Sequence, residues 1–275
     1  MEKIDYCYHT HTKRCGHAFG EDEEYVLAAI KYGIKRLGFS DHVFLKGYSQ
    51  PGIRGDYKDF QDYVSSILFL KEKYKDQIEI HLGFEAEYYP EMEGYYKELL
   101  NQGIEYFILG QHCELVDGRL KWYPDFMHDG CSVEEVHAGV ERYIQSVKSA
   151  FKTGLFSYIA HPDHCIRPLS LNDPMFDTYC HELLRTCEEY DIPIEINLGM
   201  MRFPNYNEEE HFYPNARFFE LSKQYHLRYV MGIDAHKPED FDEEKVQKGF
   251  DFINRHHLPL DKNYVVELKV RPYNK

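Results

Sequence analysis

No CxxC pair occurs in the 275 residues, and the seven cysteines are an odd number. A disulfide framework is therefore not expected. The cysteines read as small buried hydrophobes, with soft metal ligation the less favoured use. The opening "MEKIDY" lacks the apolar stretch of a secretory signal. No run approaches the ~18 apolar residues of a membrane span, so a cytoplasmic location is expected. Positive charge is scarce: 32 Lys and Arg stand against 47 Asp and Glu, for a net charge of -15. Such a chain repels nucleic acid and anionic membranes, and no basic stripe offsets that. A small anionic substrate would need local cations, from metals or from a few placed arginines. No low-complexity linker interrupts the chain, so one domain spanning 1–275 is expected. The oligomeric state is left open.

Tyrosine, by contrast, is abundant, with 24 copies, and it serves pockets as well as cores. Short apolar, β-branched or aromatic runs fall at 4–11, 36–42, 78–85, 106–112, 156–161, 192–197 and 228–234. Amphipathic stretches such as "EDEEYVLAAIKYG" and "SVEEVHAGVERYIQSVKSAFKTG" lie between them. This alternation predicts parallel strands joined by crossover helices. "NYVVEL" at 263–268 is a possible eighth strand or edge piece.

Six of the seven runs finish on a ligand-type residue: His11, His42, Glu85, His112, His161 and Asp234. In a parallel α/β barrel the strand C-termini converge on one face. An open doubly wound sheet would instead gather function at a switch point. Polar ends on nearly every strand favour the closed barrel. His9 and His11 are two apart, so on a strand they share a face, and Asp234 and His236 repeat that spacing. Neutral imidazole and carboxylate suit zinc, manganese or iron. A lone histidine at a strand end is ordinarily a structural or solvated residue. The ordered set is what points to a metal site.

The segments "HTHTKRCGH", "FSDH", "GFE", "LGQH", "AHPD" and "GIDAH", in this order over nearly the whole chain, resemble the polymerase-and-histidinol-phosphatase (PHP) superfamily. The length and the segment "FPNYNEEEHFYPNARFFELSKQYHLRYVMGIDAHKPEDF" look most like its monofunctional histidinol-phosphate phosphatases. The resemblance implies a distorted (β/α)7 TIM-like barrel and three divalent or trivalent metal ions, Zn, Fe or Mn. It implies nine ligands: His9, His11, His17, His42, Glu85, His112, His161, Asp234 and His236. It further implies hydrolysis of L-histidinol phosphate, a step of histidine biosynthesis, by metal-activated hydroxide attack on phosphorus. Glu87 shares the strand parity of Glu85 and is expected to be a salt-bridged core residue or a supporting partner. His81 sits early in its strand, away from the rim, and His164 lies just past the "AHPD" motif.

Two metals about 3.5–4 Å apart activate water and neutralise charge on the phosphoryl oxygens. Arginine adds a fork that matches phosphate. Arg167 and Arg202 lie in loops after strand ends and are expected to bind phosphate; the alternative is a solvated surface role. His42 is placed beside the substrate as well as in the ligand set, and Arg54 is a weaker phosphate candidate. Asp163, Asp234 and His236 are candidates for the proton the leaving alkoxide requires, and Asp163 could instead orient a ligand histidine. The insertion after His112 carries Glu114, Asp117, Trp122, Tyr123, Asp125 and Phe126 and could form a lid. Another PHP-type phosphoesterase, acting on tyrosyl phosphate or nucleotides, is the near alternative. A metallo-amidohydrolase or an inactive structural module lies further off. The expected partner is a small phosphate ester.

Overall fold

In the computed structural model, which describes residues 2–123, 131–210 and 213–269, strands and helices alternate along the chain. The strands are β1 (Tyr6–Cys7), β2 (Arg36–His42), β3 (Glu79–Ala86), β4 (Tyr106–Leu109), β5 (Cys113–Val116), β6 (Arg119–Trp122), β7 (Phe156–Ile159), β8 (Ile194–Asn197) and β9 (Tyr229–Gly232). The helices are α1 (Asp22–Tyr32), α2 (Phe60–Lys73), α3 (Glu93–Asn101), α4 (Val133–Lys152), α5 (Phe176–Glu189), α6 (Ala216–Ser222) and α7 (Glu243–Arg255). Seven strands pair in parallel in the order β1-β2-β3-β4-β7-β8-β9, and a helix follows each of them before the next. They coincide with the seven runs read from the sequence.

The sheet curls until its outer strands meet at the mouth. Thr10 and Ala235 form a parallel bridge there, with the His11 N–H donating to Ala235 C=O at 2.9 Å. Deeper in the seam, the Tyr6 hydroxyl accepts from Met231 N–H at 3.0 Å and donates to Asp261 C=O at 2.8 Å. The result is the nearly closed (β/α)7 barrel that the strand ends implied. β1 is shorter than the run at 4–11. Its regular pairing with β2 ends at Cys7, and beyond it the backbone bonds to both neighbours, Thr10 C=O accepting from Ser40 N–H at 2.8 Å and His9 C=O from Ala235 N–H at 3.2 Å.

The tyrosines explain themselves once the core is seen. Tyr63, Tyr96 and Tyr106 are fully buried, and each hydroxyl donates to a backbone carbonyl, of Gly83, Glu87 and Tyr8 respectively, at 2.8, 2.8 and 2.9 Å. A tyrosine thus supplies aromatic bulk while satisfying a carbonyl that burial would otherwise orphan. Helix α4 shows the outer layer's logic. Ser132 and Glu135 form a capping box at its start. Its buried Val140, Tyr143, Ile144, Val147, Ala150 and Phe151 recur at helical spacing on one face. Six cysteines are buried and Cys131 is exposed, none in a disulfide.

Two parts differ from the sequence reading. The segment at 263–268 is not an eighth strand of the sheet. It crosses the far end of the barrel as a floor. Tyr264 packs against Tyr6, Tyr8 and Tyr158 with ring centroids 5.8–6.1 Å apart, and Ser157 Oγ donates to Glu267 C=O at 2.7 Å. The insertion after β4 opens with an antiparallel hairpin, β5–β6. Its two turn residues, Asp117 and Gly118, both take positive φ, 51° and 71°. That is the demand of a tight two-residue hairpin, and Asp-Gly meets it. Asp125 and Phe126 lie outside the described residues. Among the described residues no helix is long and apolar enough to cross a membrane.

Candidate metal centre

The parallel strands carry their last residues to one rim. Glu85, at the end of β3, stands at the centre of what collects there. Its Oε1 lies 2.8 Å from His161 Nε2 and 3.3 Å from His112 Nε2. Its Oε2 lies 3.2 Å from His42 Nδ1 and 3.5 Å from Nε2 of both His9 and His11. Five imidazoles from four strand ends therefore surround one carboxylate. Asp234 makes a second focus: its Oδ1 is 3.2 Å from His11 Nε2, 3.3 Å from His236 Nδ1 and 3.5 Å from His9 Nε2.

Ligand-type atoms close enough to share an ion occur in overlapping sets. They are His11, His42 and His236; His9, His11 and Asp234; His9, Glu85 and His161; and His42, Glu85 and His112. Eight of the nine predicted ligands fall in these sets. The ninth, His17, has its ring 4.8 Å from His236 and 5.4 Å from His42. A further set joins His11 and Asp41 to Cys15.

The donor set fits cations. His9 Nε2, His11 Nδ1, His17 Nδ1, Glu85 Oε2, His112 Nδ1, His161 Nδ1 and Asp234 Oδ1 are buried without a hydrogen-bond partner. So many buried polar atoms without partners around one cluster would be costly unless cations drew on some of them. Titration agrees. Burial would raise the Glu85 carboxyl, but His112, His9 and His42 outweigh it and hold it well below the usual range. Burial, with help from neighbouring imidazoles, drives His42 and His236 well below their ordinary value, so both are neutral donors. Burial opposes protonation of His9, yet Glu195, Asp234 and Glu85 raise it. The field that would hold that proton is one that suits a cation.

The supporting residues were less visible from sequence. Glu195 on β8 meets His9 Nδ1 at 2.8 Å. Asp41 Oδ1 lies 3.6 Å from His11 Nδ1, and Thr12 Oγ1 donates to Asp41. Asp240 accepts from the His236 N–H at 2.8 Å. The buried Lys245 donates to Ile233 C=O at 2.9 Å beneath them. A carboxylate inside a run as apolar as "IPIEIN" is the signal that could have exposed Glu195. Glu87 combines both expected roles: it forms a buried two-pronged pair with Arg54, at 2.6 and 2.9 Å, and lies 3.7 Å from His112 Nδ1.

That pair removes Arg54 from the phosphate candidates. Its side chain is buried, and its remaining donors go to Gln50 and Val43 C=O. Arg167 and Arg202 sit differently. Arg167 is half-buried, with its guanidinium 5.7 Å from the ring of Tyr213. Tyr213 lies 5.5 Å from His161 and 5.6 Å from His164, so Arg167 borders the cluster. Arg202 is exposed on the next loop, over Phe203. His164 is buried in the wall beside His161 and His112. Trp122, at the end of the hairpin, stacks on His112 with centroids 5.5 Å apart, rather than packing a core within the lid. His81 lies at the opposite end, between Glu79 and Glu105. Asp163 is buried below His161. Its Oδ2 accepts from Asn215 N–H at 2.6 Å, its Oδ1 has no partner, and burial pushes its carboxyl up to about 7.

Comparison with known proteins agrees with this geometry. A Deinococcus radiodurans protein named "Probable histidinol-phosphatase" is 25% identical over 84% of this chain and 85% of its own length. A Thermoanaerobacter protein named as a probable phosphatase is 26% identical over 83% of this chain and 77% of its own. Histidinol phosphate phosphatase from Lactococcus lactis, solved with zinc, L-histidinol and phosphate, superposes with a TM-score of 0.69 at 17% identity, covering 94% of this chain and 96% of that one. At that identity the likeness speaks for the fold. The family model described as the PHP domain matches residues 8–199, well over half of the sequence, and the chain belongs to the PHP domain family.

Proposed function

We propose that this protein is a metal-dependent phosphomonoesterase that hydrolyses L-histidinol phosphate to L-histidinol and phosphate. The observation that carries the reading is the Glu85-centred cluster at the barrel mouth, with its orphaned donors. The relative named as a histidinol-phosphatase, and the zinc, L-histidinol and phosphate held by the Lactococcus protein, support the substrate and the metal. His9, His11, His17, His42, Glu85, His112, His161, Asp234 and His236 would hold three cations, zinc being the first choice. Bound there, the cations would lower the pKa of water toward neutrality and offset charge on the phosphoryl oxygens.

The chain's own groups do the rest. Arg167, beside Tyr213 and His161, presents a fork suited to two phosphate oxygens, and Arg202 extends positive charge along the same rim. The leaving alkoxide needs a proton. Of Asp163, Asp234 and His236, only Asp163 stands outside the shared donor sets, with an unpartnered Oδ1. Trp122 and Tyr213 flank the cluster as aromatic walls suited to the apolar faces of an imidazole.

Phosphate release from histidinol phosphate, p-nitrophenyl phosphate, a phosphotyrosyl peptide and an amide, with zinc, manganese or iron added, tests the reading. A kcat/KM for histidinol phosphate well above the others is expected. A preference for the phosphotyrosyl peptide would replace the substrate, and no phosphate release from any ester would remove the activity.

A further inference from the structure

Both ring nitrogens of His9 are assigned by their surroundings. Nε2 has no hydrogen-bond partner and faces Glu85 Oε2 and Asp234 Oδ1, each 3.5 Å away. Nδ1 meets Glu195 Oε1 at 2.8 Å. An ionised carboxylate only accepts, so Nδ1 carries the hydrogen and the Nε2 lone pair is left for a cation.

Glu195 has a second engagement. Its Oε2 accepts the His161 backbone N–H at 2.9 Å and Asn197 Nδ2 at 2.7 Å. His161 needs the anchor, because its φ of +30° lies where residues with a side chain are rarely found. Asn197 cannot turn its amide over without loss, because its Oδ1 accepts from Gly199 N–H at 2.7 Å. Space for the carboxylate comes from β9: a Cβ on Gly232 would stand 1.8 Å from Glu195 Oε1.

We propose that Glu195 is a positioning residue, fixing which nitrogen of His9 faces the metal centre while clamping the backbone that carries His161. One carboxylate thereby couples a ligand after β1 to a ligand after β7 from a seat on β8. The inference rests on the metal-dependent reading above. A neutral amide in its place has no satisfactory orientation. With its oxygen toward His9, its NH2 faces two other donors; turned over, it leaves His9 Nδ1–H facing a donor.

Glu195→Gln and Glu195→Asp test this with readouts beyond turnover. Chelator competition measures zinc affinity, and 15N spectra of the zinc-loaded protein report the His9 tautomer. Kinetics use p-nitrophenyl phosphate. E195Q is expected to bind zinc ~10–100-fold more weakly, to lose the single His9 tautomer, and to fall in kcat far more than it changes KM. E195D, one methylene short, is expected to fall between E195Q and wild type. Wild-type zinc affinity and an unchanged His9 tautomer in E195Q overturn the proposal. If circular dichroism shows E195Q unfolded, E195D decides: weakened zinc binding in folded protein sustains the proposal, and wild-type binding overturns it. Wild-type protein that binds no zinc overturns this inference together with the functional reading. Zinc-binding wild type with an indifferent E195Q overturns this inference alone.

Discussion

Gly110→Ala is a severe test of the site, because it changes no ligand, no charge and no strained dihedral. Gly110 is not among the positive-φ glycines, so alanine suits its backbone. The added Cβ, however, would stand 2.0 Å from Glu85 Oε1 and 2.6 Å from its Cγ and Cδ. Ordinary contact needs about 3.4 Å, so the Glu85 carboxylate must retreat by on the order of 1 Å or more. Oε1 is the atom 2.8 Å from His161 Nε2 and 3.3 Å from His112 Nε2. A displacement of that size in a carboxylate that would hold the cations is expected to cost about 10²-fold in kcat/KM and to lower the metal content measured by elemental analysis. The control is Gly94→Ala in α3, where a Cβ meets nothing within 4 Å. It should stabilise the helix by ~0.5–1 kcal/mol and leave metal and activity alone. Full metal occupancy and wild-type turnover in G110A would refute the claim that Glu85 works from its observed position.

Arg167→Ala should raise KM by roughly 10–100-fold, the worth of a charged hydrogen bond, with metal content intact; steady-state kinetics showing KM and kcat unmoved would end the phosphate-fork role. Chelation should abolish activity and lower the melting temperature, and added zinc should restore both, since a ligand at about 1,000 times its Kd stabilises by ~4 kcal/mol; a melt indifferent to exhaustive chelation would speak against structural coupling of the ions. Burial would raise the Glu105 carboxyl, but the nearby His81 and bonds from Lys71 and Leu82 N–H hold it at about 2. A depressed carboxyl stabilises the fold above its unfolded value of about 4.5 and loses that contribution as pH falls toward 2. Discounted for partial exposure, it amounts to roughly 1–2 kcal/mol, so denaturant melts of Glu105→Gln should match wild type at pH 2 and fall below it at pH 6; equal deficits at both would refute the linkage. Tyr264→Ala should cost ~3–5 kcal/mol while leaving zinc stoichiometry unchanged, and parallel loss of zinc would contradict its place in the floor, remote from the mouth.

The residues of the cluster were legible in the sequence because holding cations would demand imidazole and carboxylate there. His9 and His11 announce a shared strand face, and a polar residue ending an apolar run marks the rim of a parallel barrel. The crossover alternation gave all seven barrel strands for the same reason, since strands buried on both faces must be apolar almost to their ends. Arg54 was misread because an arginine in a loop after a strand end looks the same whether it faces phosphate or folds back. The buried Glu87 carboxylate decided the matter, and only tertiary structure brings them together. The 263–268 segment has the composition of a strand, but the chain touches the edge of β9 only just before it, where Leu260 bridges Tyr229, and then runs beneath the barrel. Composition cannot tell a strand from a strap. Trp122 was read as part of a lid, whereas Tyr213 stayed silent because an aromatic residue in a long loop usually packs locally, and nothing near it in the sequence signals His161 or His164.

The support of the centre was hidden for a different reason: part of it is written as missing side chains. A Cβ on Gly110 would strike Glu85, one on Gly199 would stand 2.4 Å from Asp234 Oδ2, and one on Gly232 would strike Glu195. Each glycine belongs to a strand neighbouring the carboxylate's own or to the loop that follows such a strand. A buried carboxylate that must face several imidazoles needs room to lie flat across the barrel mouth, and the cheapest room is an absent Cβ. A histidine two residues from another histidine states its purpose locally. A glycine states only that something must pass close by, and what passes is settled by the register of β3 on β4 and of β8 on β9. The histidines of the cluster could therefore be read one strand at a time, whereas the cavities that hold the carboxylates exist only between strands.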